Sequence, residues 1–429
     1  VNYRNKKRYK TAKYPKRQGR FWTWLIWFLS KIMLRGKKFT LETIDMEGLE
    51  PPYMIFSNHM EFIDFELAAM YTHPRKVNNV VNIDGYHMMP WLLTWIGSIC
   101  TRKFTMDLHL IKSIAKVLKR GDVLSMYPEA RYTPCGTLNY LPDSLGKLVK
   151  MNKVPVVTVV HHGNHIHSPF WNFRKKRKVP LHTVMTQLLT AEQVKAMSVE
   201  EINAALREGL WYDDYQYQKD NGIRITEPFR AEGLHKVLYQ CPACGKEHEM
   251  GSEGAEIFCR ACGKRWLLRE DGYLEARSGE TEFDHVPDWF AWERTQVEKQ
   301  IEEGTYSFED EVDVYGFPRC NRFIPLGKGK LRHSIEEGWV LEGHHNGADY
   351  RIHRQPIQTN ALHIEYDYCY IRPEDCIDIS TENNSLYCYP CHRTDVVTKL
   401  AFATEELYRI SQEKTRKKTR KKVEKTDEA

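Results

Sequence analysis

Apolar positions in the first half of the chain gather into short, β-branched runs bounded by turn residues. YMIFS (53–57), KVNNVVN (76–82), DVLSMYP (122–128) and VPVVTVV (154–160) each have the length and make-up of a strand. Between the second and third runs, Asp107 to Arg120 places Leu108, Ile111, Ile114, Ala115 and Leu118 on one face, with cations in its last turn and Gly121 after it. That is the pattern of an amphipathic helix with a glycine stop. Strands alternating with helices over residues 40–230 predict an α/β domain, a mostly parallel sheet flanked by helices. Open sheets of this kind place ligands beyond the carboxyl ends of their strands. His59, Glu129 and the segment beginning at His161 all fall there.

The two ends of the chain follow other patterns. In RFWTWLIWFLSKIMLRGKK, 11 of the 14 positions from Phe21 to Leu34 are apolar. A helix of that length extends roughly 21 Å, short of a hydrocarbon core about 30 Å thick. Its tryptophans and flanking cations suit a helix lying at the membrane interface; a buried amphipathic helix with a solvated basic tail is the alternative. Charge supports the first reading. Residues 1–40 carry 13 Lys or Arg and no acidic residue, which leaves 50 − 57 = −7 for the rest of the chain. The basic character therefore belongs to an arm, residues 1–39, expected to meet an anionic membrane surface. No nucleic-acid partner is expected, because phosphate backbones demand clustered cations on a folded surface. From about residue 279 to 413 the chain turns β-rich and closes with a helical stretch, Thr398 to Ser411. The element order resembles pleckstrin-homology-like domains. A basic tail, 414–429, is expected to be disordered.

Cysteine usage adds a further module at 231–278. CPACG (Cys241 to Gly245) and CRACG (Cys259 to Gly263) form two knuckles, with 14 residues between Cys244 and Cys259. Cys241, Cys244, Cys259 and Cys262 then complete a closed tetrahedral site, the pattern of a structural zinc ribbon. With all four positions filled by protein, this metal is structural, and no catalytic metal is expected. CYPC (Cys388 to Cys391) lacks a partner pair and reads as core. Metal-type pairing, and the absence of a small-residue cleavage site after the apolar run, fit a reducing cytoplasmic setting.

The candidate chemistry lies in MIFSNHMEFIDFELAAM (Met54 to Met70), where His59 and Asp64 stand at the joint between a strand and a helix. The pair can meet if His59 precedes the helix and Asp64 lies about one turn inside. An aspartate on one imidazole nitrogen fixes the tautomer and leaves the other as a base. Taken alone, the spacing serves helix capping equally well. Three further blocks follow in order. NHMEFID (Asn58 to Asp64), GSICTR (Gly97 to Arg102), YPEAR (Tyr127 to Arg131) and VPVVTV (Val154 to Val159) resemble the four blocks of the glycerolipid acyltransferase family that includes 1-acylglycerol-3-phosphate acyltransferase. The match spans about residues 40–200. One departure is that the third block, usually Phe-Pro-Glu-Gly-Thr-Arg, has Ala130 for glycine and its arginine one place early.

The resemblance implies transfer of a fatty acyl group from an acyl-CoA or acyl-carrier-protein thioester to the hydroxyl of a lysophospholipid acceptor. 1-Acylglycerol-3-phosphate, giving phosphatidic acid, leads; glycerol-3-phosphate and other lysophospholipids compete. In those terms His59 is the general base and Asp64 its orienting partner. Arg102 holds the acceptor phosphate, and Asn58, Gly97, Glu129 and Arg131 complete the substrate site. HHGNHIH (His161 to His167) is expected to line it without binding metal, and WYDDYQYQ (Trp211 to Gln218) reads as a packed surface segment. The expected location is peripheral, on the cytoplasmic face of a membrane. From another class, the rival is a non-catalytic membrane adaptor that binds proteins through the ribbon and β domain.

Overall fold

Seven strands from the first 190 residues form one sheet: β1 (Phe39–Ile44), β2 (Met54–Ser57), β3 (Val77–Asn82), β4 (Ile99–Thr101), β5 (Val123–Met126), β6 (Val156–His162) and β7 (Leu181–Leu189). The computed structural model describes residues 14–427 apart from 106, 319–321, 369 and 382. Residues 1–13 of the basic arm and the last two of the tail therefore lie outside the described residues. Strand order is β1-β7-β6-β2-β5-β3-β4, and every pair is parallel except β6 with β7. The mixed α/β class with a mostly parallel sheet is the one its pattern predicts.

Ten helices flank or follow this sheet: α1 (Arg20–Met33), α2 (Asp64–Thr72), α3 (Ile83–Met88), α4 (Pro90–Trp95), α5 (Leu108–Lys119), α6 (Ser144–Asn152), α7 (Asn164–His167), α8 (Ala191–Ala196), α9 (Val199–Gly209) and α10 (Asp214–Asp220). Strand β2 is buried at all four positions, as a strand covered on both faces must be. Met54 and Phe56 face a cluster that includes Ile114, Val117 and Leu118 of α5. Their neighbours Tyr53 and Ile55 face the other cluster, with Tyr71, Val157 and Val159. Helix α5 forms where its periodicity places it, with Asp107 as N-cap accepting from Leu110 N at 2.9 Å.

The boundary between arm and domain needs correction. From Tyr14 onward the arm belongs to the first domain. Gln18 accepts from Val77 N at 3.0 Å, Asn78 donates to Lys16 O at 2.9 Å, and Arg17 pairs with Asp122 at 2.7 Å. Leu34 joins a small core with Ile63, Leu67 and Leu181. Helix α1 is also inside out for a soluble helix. It buries Thr23 and Ser30, while Phe21, Trp24, Phe28, Leu29, Ile32 and Met33 are exposed.

The cysteine module folds as four antiparallel strands, β8 (Met250–Glu253), β9 (Glu256–Cys259), β10 (Arg265–Leu268) and β11 (Leu274–Ala276), followed by α11 (Val286–Glu302). The last part is a seven-stranded antiparallel sheet: β12 (Ser307–Gly316), β13 (Ile324–Ser334), β14 (Gly338–His345), β15 (Ala348–Arg354), β16 (His363–Glu365), β17 (Cys376–Ser380) and β18 (Ser385–Pro390). Its order is β15-β14-β13-β12-β18-β17-β16, and Cys388 is buried in its core. The closing helix α12 runs Val397–Asp427, so the stretch expected to be disordered from 414 is helical through Asp427. Its Lys, Arg and Glu residues are good helix formers.

The three parts share apolar cores. One cluster joins Ile166, Phe170 and Trp171 with Met250 and Trp266 of the cysteine module and Val312, Leu331 and Leu400 of the last part. Another joins Val81, Ile83, Tyr86 and Cys100 to Phe317, Tyr368, Tyr387 and Tyr389. The β domain is thereby seated beside the ends of β3 and β4, next to the predicted site.

Candidate active site

The site is built where three neighbouring strands end. Strand β2 lies between β6 and β5, so residues just past its end can reach both neighbours. Asn58 spans to β6: its amide donates to His161 O at 3.0 Å and accepts from His161 N at 2.9 Å. His59 spans to the chain leaving β5, where its backbone N–H donates to Glu129 Oε1 at 2.9 Å and its carbonyl accepts from Thr133 N at 3.0 Å. Glu129 Oε2 accepts from Asn139 N at 2.8 Å. Asn58 and Glu129 are thus staples of the backbone that carries His59. Burial pushes the Glu129 carboxyl up to about 7, against the pull of the two N–H donors. Ala130 has φ of 56°, in the left-handed region that favours glycine. The loop keeps a shape suited to glycine, at a strain of about 1 kcal/mol.

His59 and Asp64 meet. Nδ1 of His59 lies 2.9 Å from Asp64 Oδ2, which also accepts from Met60 N at 2.8 Å and Glu61 N at 3.2 Å. The other oxygen, Oδ1, accepts from the Asn164 amide at 2.7 Å. Asp64 stands at the first helical position of α2 rather than a turn inside it. Its carboxylate reaches back over the preceding turn, where it holds that turn's N–H groups and orients the imidazole; it does not cap α2. Asp64 is fully buried, yet hydrogen bonds and the neighbouring imidazoles outweigh burial and hold its carboxyl below the usual range. The His59 side chain is 12% exposed. It stacks on Tyr127 at 4.1 Å and lies against Tyr132 at 4.3 Å, with Phe65 edge-on. Burial lowers its pKa, with Asp64 opposing, so the imidazole is neutral near pH 7. With Nδ1–H given to the carboxylate, Nε2 keeps its lone pair.

The HHGNHIH segment supports this pair from behind. His161 sits between Ser57 and Thr183 (Nε2 to Oγ 3.3 Å, Nδ1 to Oγ1 2.8 Å). Burial holds His161 and His162 at about 4 and His165 and His167 at about 3. Among the described residues these histidines form no metal-ligating group. Asn164 is the residue that sequence reasoning missed. Its support comes from WYDDYQYQ, a packed surface segment that exposes Trp211 and Gln216 and buries Tyr212, Asp214, Tyr215 and Gln218. Asp214 accepts from Gly163 N at 2.8 Å and His165 N at 2.9 Å, and so seats the turn that aims Asn164 at Asp64.

Three predicted substrate residues stand elsewhere. Arg102 points into the β domain and donates to Phe317 O at 3.1 Å, Pro318 O at 3.0 Å and Ser385 Oγ at 3.1 Å. Arg131 is buried, donates to Leu362 O at 3.0 Å and is paired with Glu405 of α12. Gly97, at φ of 80°, seats the N-terminal segment, since a Cβ there would lie 2.2 Å from Lys16 O. Both guanidiniums are taken by carbonyls and a carboxylate from the last third of the chain, which local sequence gives no means of foreseeing.

In the cysteine module, Cys241 Sγ lies 3.7 Å from Cys262 Sγ, and Cys244 Sγ 3.8 Å from Cys259 Sγ. All four thiols fall within 4.8 Å of one another. Thiolates around a tetrahedral zinc with bonds of about 2.3 Å stand roughly 3.8 Å apart, so the group is compatible with a structural zinc site. The left-handed Gly245 and Gly263 that close the knuckles, at φ of 73° and 76°, permit the tight turn each one needs.

No family model matches the chain, and no curated protein matches it. Among solved structures, it is similar to the 1-acyl-sn-glycerophosphate (LPA) acyltransferase PlsC from Thermotoga maritima, at 13% identity over 44% of this chain and 77% of that one, with a TM-score of 0.35.

Proposed function

We propose that this chain transfers a fatty acyl group from a thioester donor, acyl-CoA or acyl carrier protein, to the hydroxyl of a lysophospholipid. The observation that carries the reading is the His59–Asp64 contact at a strand's carboxyl end, with the carboxylate held by three further donors. In the proposed step the acceptor hydroxyl gives its proton to His59 Nε2 as its oxygen attacks the thioester carbonyl. The carbon–sulfur bond then breaks, and the imidazolium returns the proton to the departing thiolate. Asp64 keeps Nε2 as the accepting nitrogen and stabilises the transient imidazolium. No protein nucleophile is required, because the thioester is already activated. Measuring thiol release with and without a lysophospholipid tests the reading; equal release in both would remove it. 1-Acylglycerol-3-phosphate is the acceptor implied by the sequence blocks. The engagement of Arg102 and Arg131 with the β domain weighs against a phosphate held by those two residues.

Membrane attachment through α1 is part of the proposal. No helix among the described residues is long and apolar enough to cross a membrane. The outward apolar face of α1 continues onto α4, where Trp91 and Trp95 are exposed and Trp95 lies 6.4 Å from Trp22. Such a surface suits peripheral docking on an anionic, cytoplasmic-face bilayer, with rings at headgroup depth. Replacing Trp24, Phe28 and Ile32 together by serine is expected to cut flotation with anionic liposomes by at least about tenfold, given ~0.8 kcal/mol per buried methylene. Flotation unchanged by the triple substitution would sink this part of the proposal.

The thiol cluster is proposed to hold one structural zinc, which supplies folding energy and no step of the transfer. Metal analysis of reduced protein is expected to give about one zinc per chain. Chelation is expected to unfold β8–β11 and expose Trp266, which is fully buried. Full near-ultraviolet ellipticity after the metal is stripped would contradict a structural role.

A further inference from the structure

Arg102 and Arg131 are not the only cations of the first domain that the β domain claims. Lys103, the residue after Arg102, has its Nζ 2.6 Å from His363 Nε2 on β16. His363 Nε2 lies 2.9 Å from Glu365 Oε1, and its Nδ1 lies 3.4 Å from Asp378 Oδ2. Asp84 of α3 completes the group: it, His363 and Glu365 offer polar atoms within 4.8 Å of one another. Lys103 therefore stands among carboxylates from both domains.

This network adjoins the dyad. Arg131 bonds Leu362 O, one residue before β16. Just after β16, Tyr366 packs on Phe170 at 5.1 Å, Phe170 on Tyr132 at 5.4 Å, and Tyr132 on His59 at 4.3 Å. Strand β16 thus runs alongside the loop that carries a ring contact of His59. Lys103, Tyr132, Glu365 and His59 all keep part of their surface open to solvent, while Asp84 is half-buried with its Oδ1 shielded from solvent. The shared cores at Val81, Ile83 and Phe317 make the β domain a fixed wall of this region rather than a detachable one.

A phosphomonoester carries close to two negative charges at neutral pH and calls for unopposed cations. Here the two arginines are engaged and Lys103 is matched by carboxylates, so a dianionic head would meet Asp84 and Glu365 as well. A zwitterionic head fits the same wall, its phosphodiester toward Lys103 and its ammonium toward Glu365 and Asp84. We propose that the acceptor is a zwitterionic lysophospholipid with a phosphodiester head, selected over lysophosphatidic acid by the Asp84–Lys103–Glu365 wall that the β domain completes. The proposal rests on the reading of His59 as the base and goes beyond it in naming the acceptor class.

The test compares lysophosphatidylethanolamine with lysophosphatidic acid on the full chain, as thiol release from an acyl-CoA and as equilibrium binding to His59→Ala protein. The zwitterionic acceptor is expected to have the higher kcat/KM by at least about tenfold, the scale of one avoided like-charge contact. Glu365→Gln, with Asp84→Asn as the second variant, is expected to unmask Lys103 and narrow that ratio by raising use of lysophosphatidic acid. A wild-type preference for lysophosphatidic acid, or a ratio untouched by both variants, overturns the proposal. Binding separates it from the base assignment. Tighter binding of the zwitterionic lipid without thiol release would sink the role of His59 and keep the headgroup preference. Tighter binding of lysophosphatidic acid overturns the preference whatever the turnover.

Discussion

Replacing His59 with alanine is expected to lower acceptor-dependent thiol release by about 10²–10⁴-fold, the typical contribution of a positioned general base. The fold should survive the change. Asp64 would still accept from Met60 N, Glu61 N and Asn164, so no buried charge is stranded. The backbone bonds of His59 to Glu129 and Thr133 need no imidazole. A thermal melt and near-ultraviolet spectrum close to wild type, alongside lost turnover, would place the defect in the chemistry. Retained turnover in the folded variant would remove the mechanism.

Asp64→Asn is expected to cost nearly as much activity and more stability. The carboxylate receives four hydrogen bonds, three on Oδ2 and one on Oδ1. An amide offers one acceptor end, so its NH2 must face either the Asn164 amide or the three donors of the preceding turn. Each buried donor left without an acceptor costs about 1–3 kcal/mol. Loss of the carboxylate also frees the imidazole to take the other tautomer, for which a further fall of about 10²–10⁴-fold in rate is expected. Denaturant unfolding and thiol release on one preparation separate the two effects; wild-type values in both would contradict the orienting role. The pH signs follow from the same contacts. Asp64 has a depressed pKa, so its stabilisation is complete above the ordinary carboxyl value of 3.8 and is lost only in acid below it. His59 is lowered from 6.5, so turnover is expected to rise with pH through a value below 6.5 and to stay level above it.

Much of this was legible in the sequence because it is local. The buried strands β2, β3, β5 and β6 and helix α5 announce themselves by apolar runs and periodicity, and each forms within about two residues of its expected bounds. Strand β1 is exposed at five of six positions, so no buried apolar run marks it; β4, of three residues, is too short to register. Strand β7 does alternate buried and half-buried positions along much of its length, a signal that was available. The His59–Asp64 contact was foreseeable because five residues separate the partners. The fate of Arg102 and Arg131 was not: their partners lie 215 to 283 residues away. Tyr127 was noticed as part of a block, but its stacking on His59 depends on β2 and β5 being neighbours.

The most direct test of the central claim is release of thiol from a long-chain acyl-CoA, followed with and without a lysophospholipid between about pH 5 and 9. The account predicts release that requires the acceptor, rises with pH through one ionisation below 6.5, the ordinary imidazole value from which His59 is lowered, and disappears in His59→Ala protein. Acceptor-independent release, or a profile unchanged when His59 is removed, would contradict it.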